Sequence, residues 1–207
     1  MIITFEGIDG SGKSTQARRL ESWLKENGHD VLYVREPGGT QVSERIRSLL
    51  LDPSVSMDGF TEMLLFSAAR SELCRAKIRP HHEQGGIVIC DRFYDSTVAY
   101  QGGGRQLADP DWLAAFQRRV ADELVPDRTY LIRVDTHTAS ERLAARSSGA
   151  SDDRMEQAGR AFFERVVDTY DRMAAQEPDR FLVVDGARDE GVIANDILED
   201  IRRLLPT

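Results

Sequence analysis

Apolar residues along this chain follow two rhythms. Short, nearly unbroken apolar runs occupy positions 2–5, 31–34, 87–90, 130–134 and 181–184, rich in β-branched or aromatic side chains and bounded by turn residues. They predict five strands. Between them, apolar positions recur at helical spacing over 14–27, 42–51, 62–79, 111–124, 139–146, 154–176 and 189–205. Strand and helix therefore alternate. Neighbouring parallel strands need crossovers of helix length, and unbroken apolar strands need cover on both faces. The pattern predicts a three-layer α/β fold around a five-stranded, mainly parallel sheet, with no internal repeat.

Length and composition fit a single domain spanning 1–207. A chain of 207 residues with 41% hydrophobic content can bury a core without disulfides or metals. The charged fraction of 30% and the net charge of -8 exclude a general nucleic-acid binder, which carries a basic surface. Any anion site must be local. Cys74 and Cys90 are too few and too separated for a disulfide framework or a zinc cluster, and Cys90, ending an apolar run, reads as a buried thiol. The N-terminus lacks a basic stretch followed by a signal-type apolar core, and no uninterrupted apolar segment approaches a membrane span. The expectation is a cytoplasmic protein with no membrane partner.

Segments 36–40, 101–106 and 147–153 combine Gly, Ser, Asp or Pro between patterned elements and read as loops. In an open α/β sheet, ligands bind beyond the carboxyl ends of the strands, where such loops gather. One loop carries a specific signal. Gly7-Ile8-Asp9-Gly10-Ser11-Gly12-Lys13-Ser14 has full P-loop spacing and stands between a predicted strand and a predicted helix. This points to the P-loop NTPase fold with ATP as phosphate donor. Its glycines let backbone N–H groups converge on phosphate oxygens, and the helix beginning near Ser14 and Thr15 adds its positive end. Lys13 is expected at the β/γ-phosphates, and the Ser14 hydroxyl on Mg2+. The third strand ends in Asp91-Arg92. There an aspartate can organise the metal or its waters and an arginine can clamp phosphate oxygens, the alternative being a surface salt bridge.

Four further segments extend the pattern: Arg35-Glu36-Pro37-Gly38-Gly39-Thr40, Phe66-Ser67-Ala68-Ala69-Arg70, Asp91-Arg92-Phe93-Tyr94 and Tyr100-Gln101-Gly102-Gly103-Gly104-Arg105. In their order and spacing after the P-loop, the chain resembles the bacterial thymidylate kinases nearly end to end. That resemblance implies transfer of the ATP γ-phosphate to dTMP and a homodimer assembled through helices including 62–79. It places Phe66 against thymine, although by itself this residue reads as a core aromatic. Arg70, one helical turn later, would hydrogen-bond the base. Thr97, Ser96 and Gln101 would face or approach the base, with Glu36 and Pro37 in the same acceptor site. Tyr100 would lie beneath the sugar and disfavour a 2′-hydroxyl. Asp9 would contact the sugar 3′-hydroxyl, its alternative being simple turn chemistry. Arg47 and Arg92 would clamp the acceptor phosphate, Arg45 being a weaker candidate.

The P-loop itself carries no arginine, so charge stabilisation beyond Lys13 must come from elsewhere. Arg142, Arg146 and Arg154 flank the segment 147–153. This stretch, about 142–156, resembles the short bacterial lid, with Arg146 and Arg154 on the ATP phosphates and Arg142 over adenine. Glu156 would orient metal-bound water or else pair with a nearby arginine along its helix. Asp185-Gly186-Ala187-Arg188, after the last strand, would wall the adenine pocket, with Ala187 on ATP. The rivals are a different nucleoside monophosphate kinase and a nucleotide-dependent switch. The second lacks support, because the chain has no Asn-Lys-x-Asp guanine-reading segment and a switch has no use for the acceptor arginines. For the lid, Arg154→Ala is expected to lower turnover more than it weakens dTMP binding, because closure acts in the transition state. Turnover and dTMP affinity of Arg146→Ala, Arg154→Ala and the double variant measure this, and normal turnover in all three refutes the lid.

Overall fold

The computed structural model describes residues 1–146 and 159–205, apart from the side chains of Pro110 and Arg146. Arg154, Glu156 and the expected loop 147–153 lie outside the described residues. Five strands form one sheet: β1 (Ile2–Glu6), β2 (Val31–Arg35), β3 (Ile87–Asp91), β4 (Arg128–Arg133) and β5 (Phe181–Asp185). Their order is β2-β3-β1-β4-β5. Every pairing among them is parallel, so the expected mainly parallel sheet is wholly so.

Helix α1 (Lys13–Glu26) joins β1 to β2, and α2 (Gln41–Leu51), α3 (Gly59–Leu73) and α4 (Arg79–Glu83) lead to β3. After β3 come the short α5 (Tyr94–Thr97) and then α6 (Pro110–Val120). Helices α7 (Thr136–Arg146) and α8 (Arg160–Gln176) connect β4 to β5, and α9 (Glu190–Leu204) closes the order. Helix ends carry the expected chemistry. Thr40 caps α2 by accepting from the Ser43 N–H, Asp58 caps α3, and Asp189 caps α9.

Alternate residues of β1 feed opposite cores. Ile3 and Phe5 pack with Ala17 and Leu20 of α1 and with Ile193 and Ile197 of α9. Ile2 instead joins Leu73, Ile78, Val88 and Phe93 on the other face. Double-sided burial explains why β1 and β3 are apolar without alternation. Cys74 and Cys90 are both buried and unpaired with each other, as the apolar context of Cys90 implies.

Several segments depart from the expected boundaries; the helix expected over 111–124 already ends at Val120, and that expected over 139–146 begins at Thr136. The helix expected over 62–79 starts earlier, at the Asp58 cap, and continues through a π-helical stretch (Cys74–Ile78) into α4. More consequentially, residues 101–104 are not a loop but part of a second π-helical stretch, Val98–Gly104. The glycines there serve packing. A Cβ on Gly103 would come 2.0 Å from Thr169 Oγ1, and one on Gly104 would come 2.4 Å from the Phe162 ring. Helix α8 lies so close that only hydrogens fit beneath it. Gly103→Ala is therefore expected to destabilise the protein by roughly 1–3 kcal/mol through overpacking, read as a lower urea midpoint with an unchanged m-value.

Candidate active site

The carboxyl end of β1 turns directly into the loop at Gly7. Gly7 has φ 137°, and a Cβ there would lie 2.5 Å from the Ile132 carbonyl oxygen. Gly10, at φ 82°, passes the Ala139 carbonyl as closely. Only glycine tolerates both the conformation and the approach. The Ser11 N–H donates to the Ile8 carbonyl at 3.2 Å, closing the loop. Helix α1 then starts with no side-chain cap at Gly12. Its first amides face the loop, the arrangement that receives a phosphate.

Lys13 is buried and folded over this loop, donating to the Ile8 carbonyl at 3.4 Å and to Asp9 Oδ1 at 3.2 Å. Asp9 Oδ1 also accepts from Arg92 Nη2 at 2.7 Å, and Oδ2 accepts from the Tyr100 hydroxyl at 3.2 Å. Burial opposes ionisation of Asp9, but Arg92 and Lys13 outweigh it and hold the carboxyl well below the usual range. Burial and the nearby Arg92 charge lower the pKa of Lys13. Arg92 adopts φ 73° and further donates to Ser96 Oγ at 3.1 Å and to the Tyr100 hydroxyl at 2.9 Å. Its Nε and second Nη1 N–H have no partner among the described residues, so two donors remain for phosphate oxygens.

A cavity of about 100 Å³ opens beside Asp9. Asp9, Arg92, Ser96, Thr97, Tyr100 and Gln101 line it from the β1 and β3 ends of the sheet, Glu36 and Pro37 from the end of β2. Arg47 and Leu51 of α2 and Phe66 and Arg70 of α3 complete it. The fold thus gathers every residue expected on the acceptor side. Leu51, one helical turn after Arg47, escaped notice although that spacing puts it on the same face. Arg47 donates to the Pro37 carbonyl at 2.9 Å. Gln101 donates to the buried Glu62 carboxylate at 2.9 Å.

Arg70 makes four hydrogen bonds and an ion pair within the protein. Nε and Nη2 hold Glu36 Oε2 at 2.7 and 2.6 Å. Nη1 donates to Thr97 Oγ1 at 2.8 Å and Gln117 Oε1 at 2.6 Å, and Nη2 also reaches the Phe93 carbonyl at 3.1 Å. A base carbonyl at Arg70 would share or displace one of these acceptors. Gln117 was invisible in the sequence, because a glutamine inside α6 carries no local signal. Glu36 Oε1 is buried without a partner and its residue lines the cavity. Burial raises the Glu36 pKa despite Arg70.

On the other side of the loop lies a cavity of about 400 Å³, lined by Gly10, Ser11, Gly12, Thr15 and Arg142 among others. Arg142 donates to the Ser11 carbonyl at 3.3 Å and the Gly186 carbonyl at 2.9 Å, tying α7 to the loop after β5. Gly186 and Arg188 line this cavity, but Ala187 does not. The Ala187 N–H donates to Asp185 Oδ1 at 2.9 Å. Gln16, Glu190 and Ile193 also line it and were not expected there, since the last belongs to the core periodicity of α9.

Ser14 is exposed on the first turn of α1. Asp91 is buried; its Oδ2 accepts from the Tyr33 hydroxyl at 3.1 Å, while its Oδ1 is buried and unpartnered. That orphaned acceptor fits a metal-bound water. Among the described residues no group of three or more His, Cys, Asp or Glu side chains could hold a metal. Mg2+ suits such a sparse donor set, since it keeps its waters and takes phosphate oxygens.

One phosphate loop shared by two cavities, with Lys13 and Arg92 converging on Asp9 between them, fits a P-loop phosphotransferase with room for a second substrate. A sequence model of the family described as Thymidylate kinase matches residues 5–197. The thymidylate kinase of Chlorobium chlorochromatii is 41% identical over 99% of this chain and 96% of that protein. That of Ectopseudomonas mendocina is 44% identical over 100% of this chain and 95% of its own. The crystal structure of thymidylate kinase from Ehrlichia chaffeensis superposes with a TM-score of 0.78 at 36% identity, covering 98% of both chains. The chain belongs to the thymidylate kinase family: it is an ATP-dependent kinase of nucleotide biosynthesis that phosphorylates dTMP to dTDP.

Removing the buried ammonium above the loop deprives the transferring phosphate of a preorganised charge. Lys13→Ala is expected to lower turnover roughly 10²–10³-fold with an unchanged circular dichroism spectrum. Near-normal turnover in the folded variant refutes this role.

Proposed function

We propose that phosphate passes in line from ATP, seated in the larger cavity, to dTMP in the smaller one, with no covalent enzyme intermediate. The observation that carries this reading is the position of Asp9. It lines the acceptor cavity, while its neighbours Gly10, Ser11 and Gly12 line the other. One loop therefore serves both substrates. Catalysis by such a site is positioning and charge compensation, because two anions must be brought together.

On the donor side, residues 7–12 cradle phosphates, Lys13 bridges toward the transferred group, and Arg142 walls the nucleotide. Mg2+, held by Ser14 and through water by Asp91, would neutralise phosphate charge. On the acceptor side, Arg92 and Arg47 hold the dTMP phosphate. Asp9, acceptor-only when ionised, takes the 3′-hydroxyl proton as a hydrogen bond. Tyr100, packed edge-on against Phe162 and Phe163, is fixed where it excludes a ribose 2′-hydroxyl. Phe66 stacks on the base and the Arg70, Thr97 and Glu36 cluster reads its polar edge. Arg146, Arg154 and Glu156 remain the proposed lid residues.

The chain would work as one phosphotransfer unit within a cytoplasmic homodimer. On α3, Phe60 is 50% and Leu64 45% exposed one helical turn apart, an apolar pair suited to a second copy. No helix among the described residues is long and apolar enough to cross a membrane.

A coupled assay of ADP release with and without dTMP tests the reaction: release that does not depend on dTMP would overturn it. Recognition is tested at Arg70. Arg70→Ala is expected to weaken dTMP binding by roughly 1.5–3 kcal/mol, the range for a hydrogen bond to a charged group, while ATP affinity stays unchanged. Because the variant also strands the buried Glu36 carboxylate, the double variant Glu36→Gln/Arg70→Ala is measured beside it. Equal losses for both nucleotides refute the placement.

A further inference from the structure

Glu6 is the last residue of β1, immediately before Gly7, and its side chain is fully buried. A lone carboxylate there would be costly, and this one is met by three donors. Oε1 accepts from the Phe93 N–H at 2.7 Å. Oε2 accepts from the Ser96 hydroxyl at 2.6 Å and the Tyr170 hydroxyl at 2.7 Å. The Ser96 oxygen in turn accepts from Arg92 Nη1 at 3.1 Å and lies 3.0 Å from the Tyr170 oxygen.

Arg92 is thereby held from two directions. Its backbone sits at φ 73°, a region that non-glycine residues occupy only where the surroundings impose it. The peptide that follows is anchored through the Phe93 N–H, and the guanidinium is anchored through Ser96. Glu6 itself touches neither cavity.

We propose that Glu6 is a positioning residue for phosphoryl transfer: through Ser96 and the Phe93 N–H its carboxylate aims Arg92 at the transferring phosphate, and through Tyr170 it ties that aim to α8. The inference rests on the assignment of Arg92 to the phosphates. The ionised carboxylate is the working form, since it alone accepts from all three donors at once, whereas a protonated carboxyl must turn one of them away. Burial and the neighbouring Asp95 carboxylate raise the Glu6 pKa to about 7, against the lowering effects of Ser96, Arg92 and Tyr170. The groups facing Glu6 are Cys90 on β3, Arg92 and Asp95 after it, and Tyr170 on α8, while the paired β4 position is Leu131. Burial pushes the Cys90 thiol and the Tyr170 phenol well up, so both stay neutral, and Arg92 stays charged. Asp95 is paired with Arg180 at 2.6 Å. Glu6 therefore takes up a proton at higher pH than an ordinary glutamate.

The test is a double-mutant cycle on turnover at saturating substrates and pH 8, with Glu6→Gln, Arg92→Lys and the double variant. Glu6→Gln is expected to lower kcat about tenfold or more with the KM for ATP unchanged. In the Arg92→Lys background the same change is expected to cost less than about twofold, because the carboxylate acts through the arginine. Independent, multiplicative losses overturn the proposal. Wild-type turnover in Arg92→Lys would overturn the assignment of Arg92 itself, which separates that failure from this one. Should Glu6→Gln not fold, Tyr170→Phe carries the test. Losing that donor raises the Glu6 pKa further, so the acid limb of the kcat profile is expected to move to higher pH by about half a unit. An unmoved limb refutes the role.

Discussion

The parallel pairing of β1 with β3 is the constraint on which the site depends. Phe5 stands opposite Asp91, and the Arg92 N–H continues the ladder by donating to the Phe5 carbonyl at 3.0 Å. The phosphate loop that follows β1 and the Asp91-Arg92 pair that follows β3 therefore emerge side by side. Chain order reverses around these central strands, where the ends of an open parallel sheet leave a crevice. From that adjacency come the Asp9–Arg92 ion pair, the two-sided loop and the separation of the two cavities.

Around this junction the protein spends buried polar groups freely. Glu6, Glu36, Glu62 and Arg70 are all buried, and each is met by donors or acceptors from a different element. Buried polar networks of this kind cost desolvation but fix one geometry, because a shifted side chain would leave an unpaired charge in low dielectric. A site that works by positioning two anions needs such rigidity more than it needs extra stability. The π-helical stretch Val98–Gly104 has the same character. It brings Tyr100 and Gln101 to the cavity while its glycines admit α8, so a locally weak helix is held by what packs on it.

Much of this was legible before any coordinates. Unbroken apolar runs report burial on both faces, which is a property of strand position within the layers, and the P-loop spacing reports a backbone geometry that few other residues permit. That one set of residues would gather around a cavity was expected only through resemblance: Phe66 and Arg70 at i and i+4 share a helix face, but spacing alone does not say what that face meets. Where reading failed, the cause was physical. Gly102, Gly103 and Gly104 look like turn chemistry because glycine permits both a turn and a close helix contact, and sequence does not distinguish the two uses. Of the segment Asp185-Gly186-Ala187-Arg188, expected to wall a cavity, Gly186 and Arg188 line it, and which residues of such a turn do so depends on how the turn folds.

The sequence by itself determined the alternation of strands and helices, the phosphate loop and the family, because these rest on local backbone chemistry and on the order of motifs along the chain. Only the tertiary structure decided which side chains meet. Glu6 with Ser96 and Tyr170, and Arg70 with Gln117, are brought together from distant elements. A buried glutamate at the end of a strand or a glutamine inside a helix has no periodicity of its own. Its role exists only once folding has removed water and left those partners as the sole ones within reach.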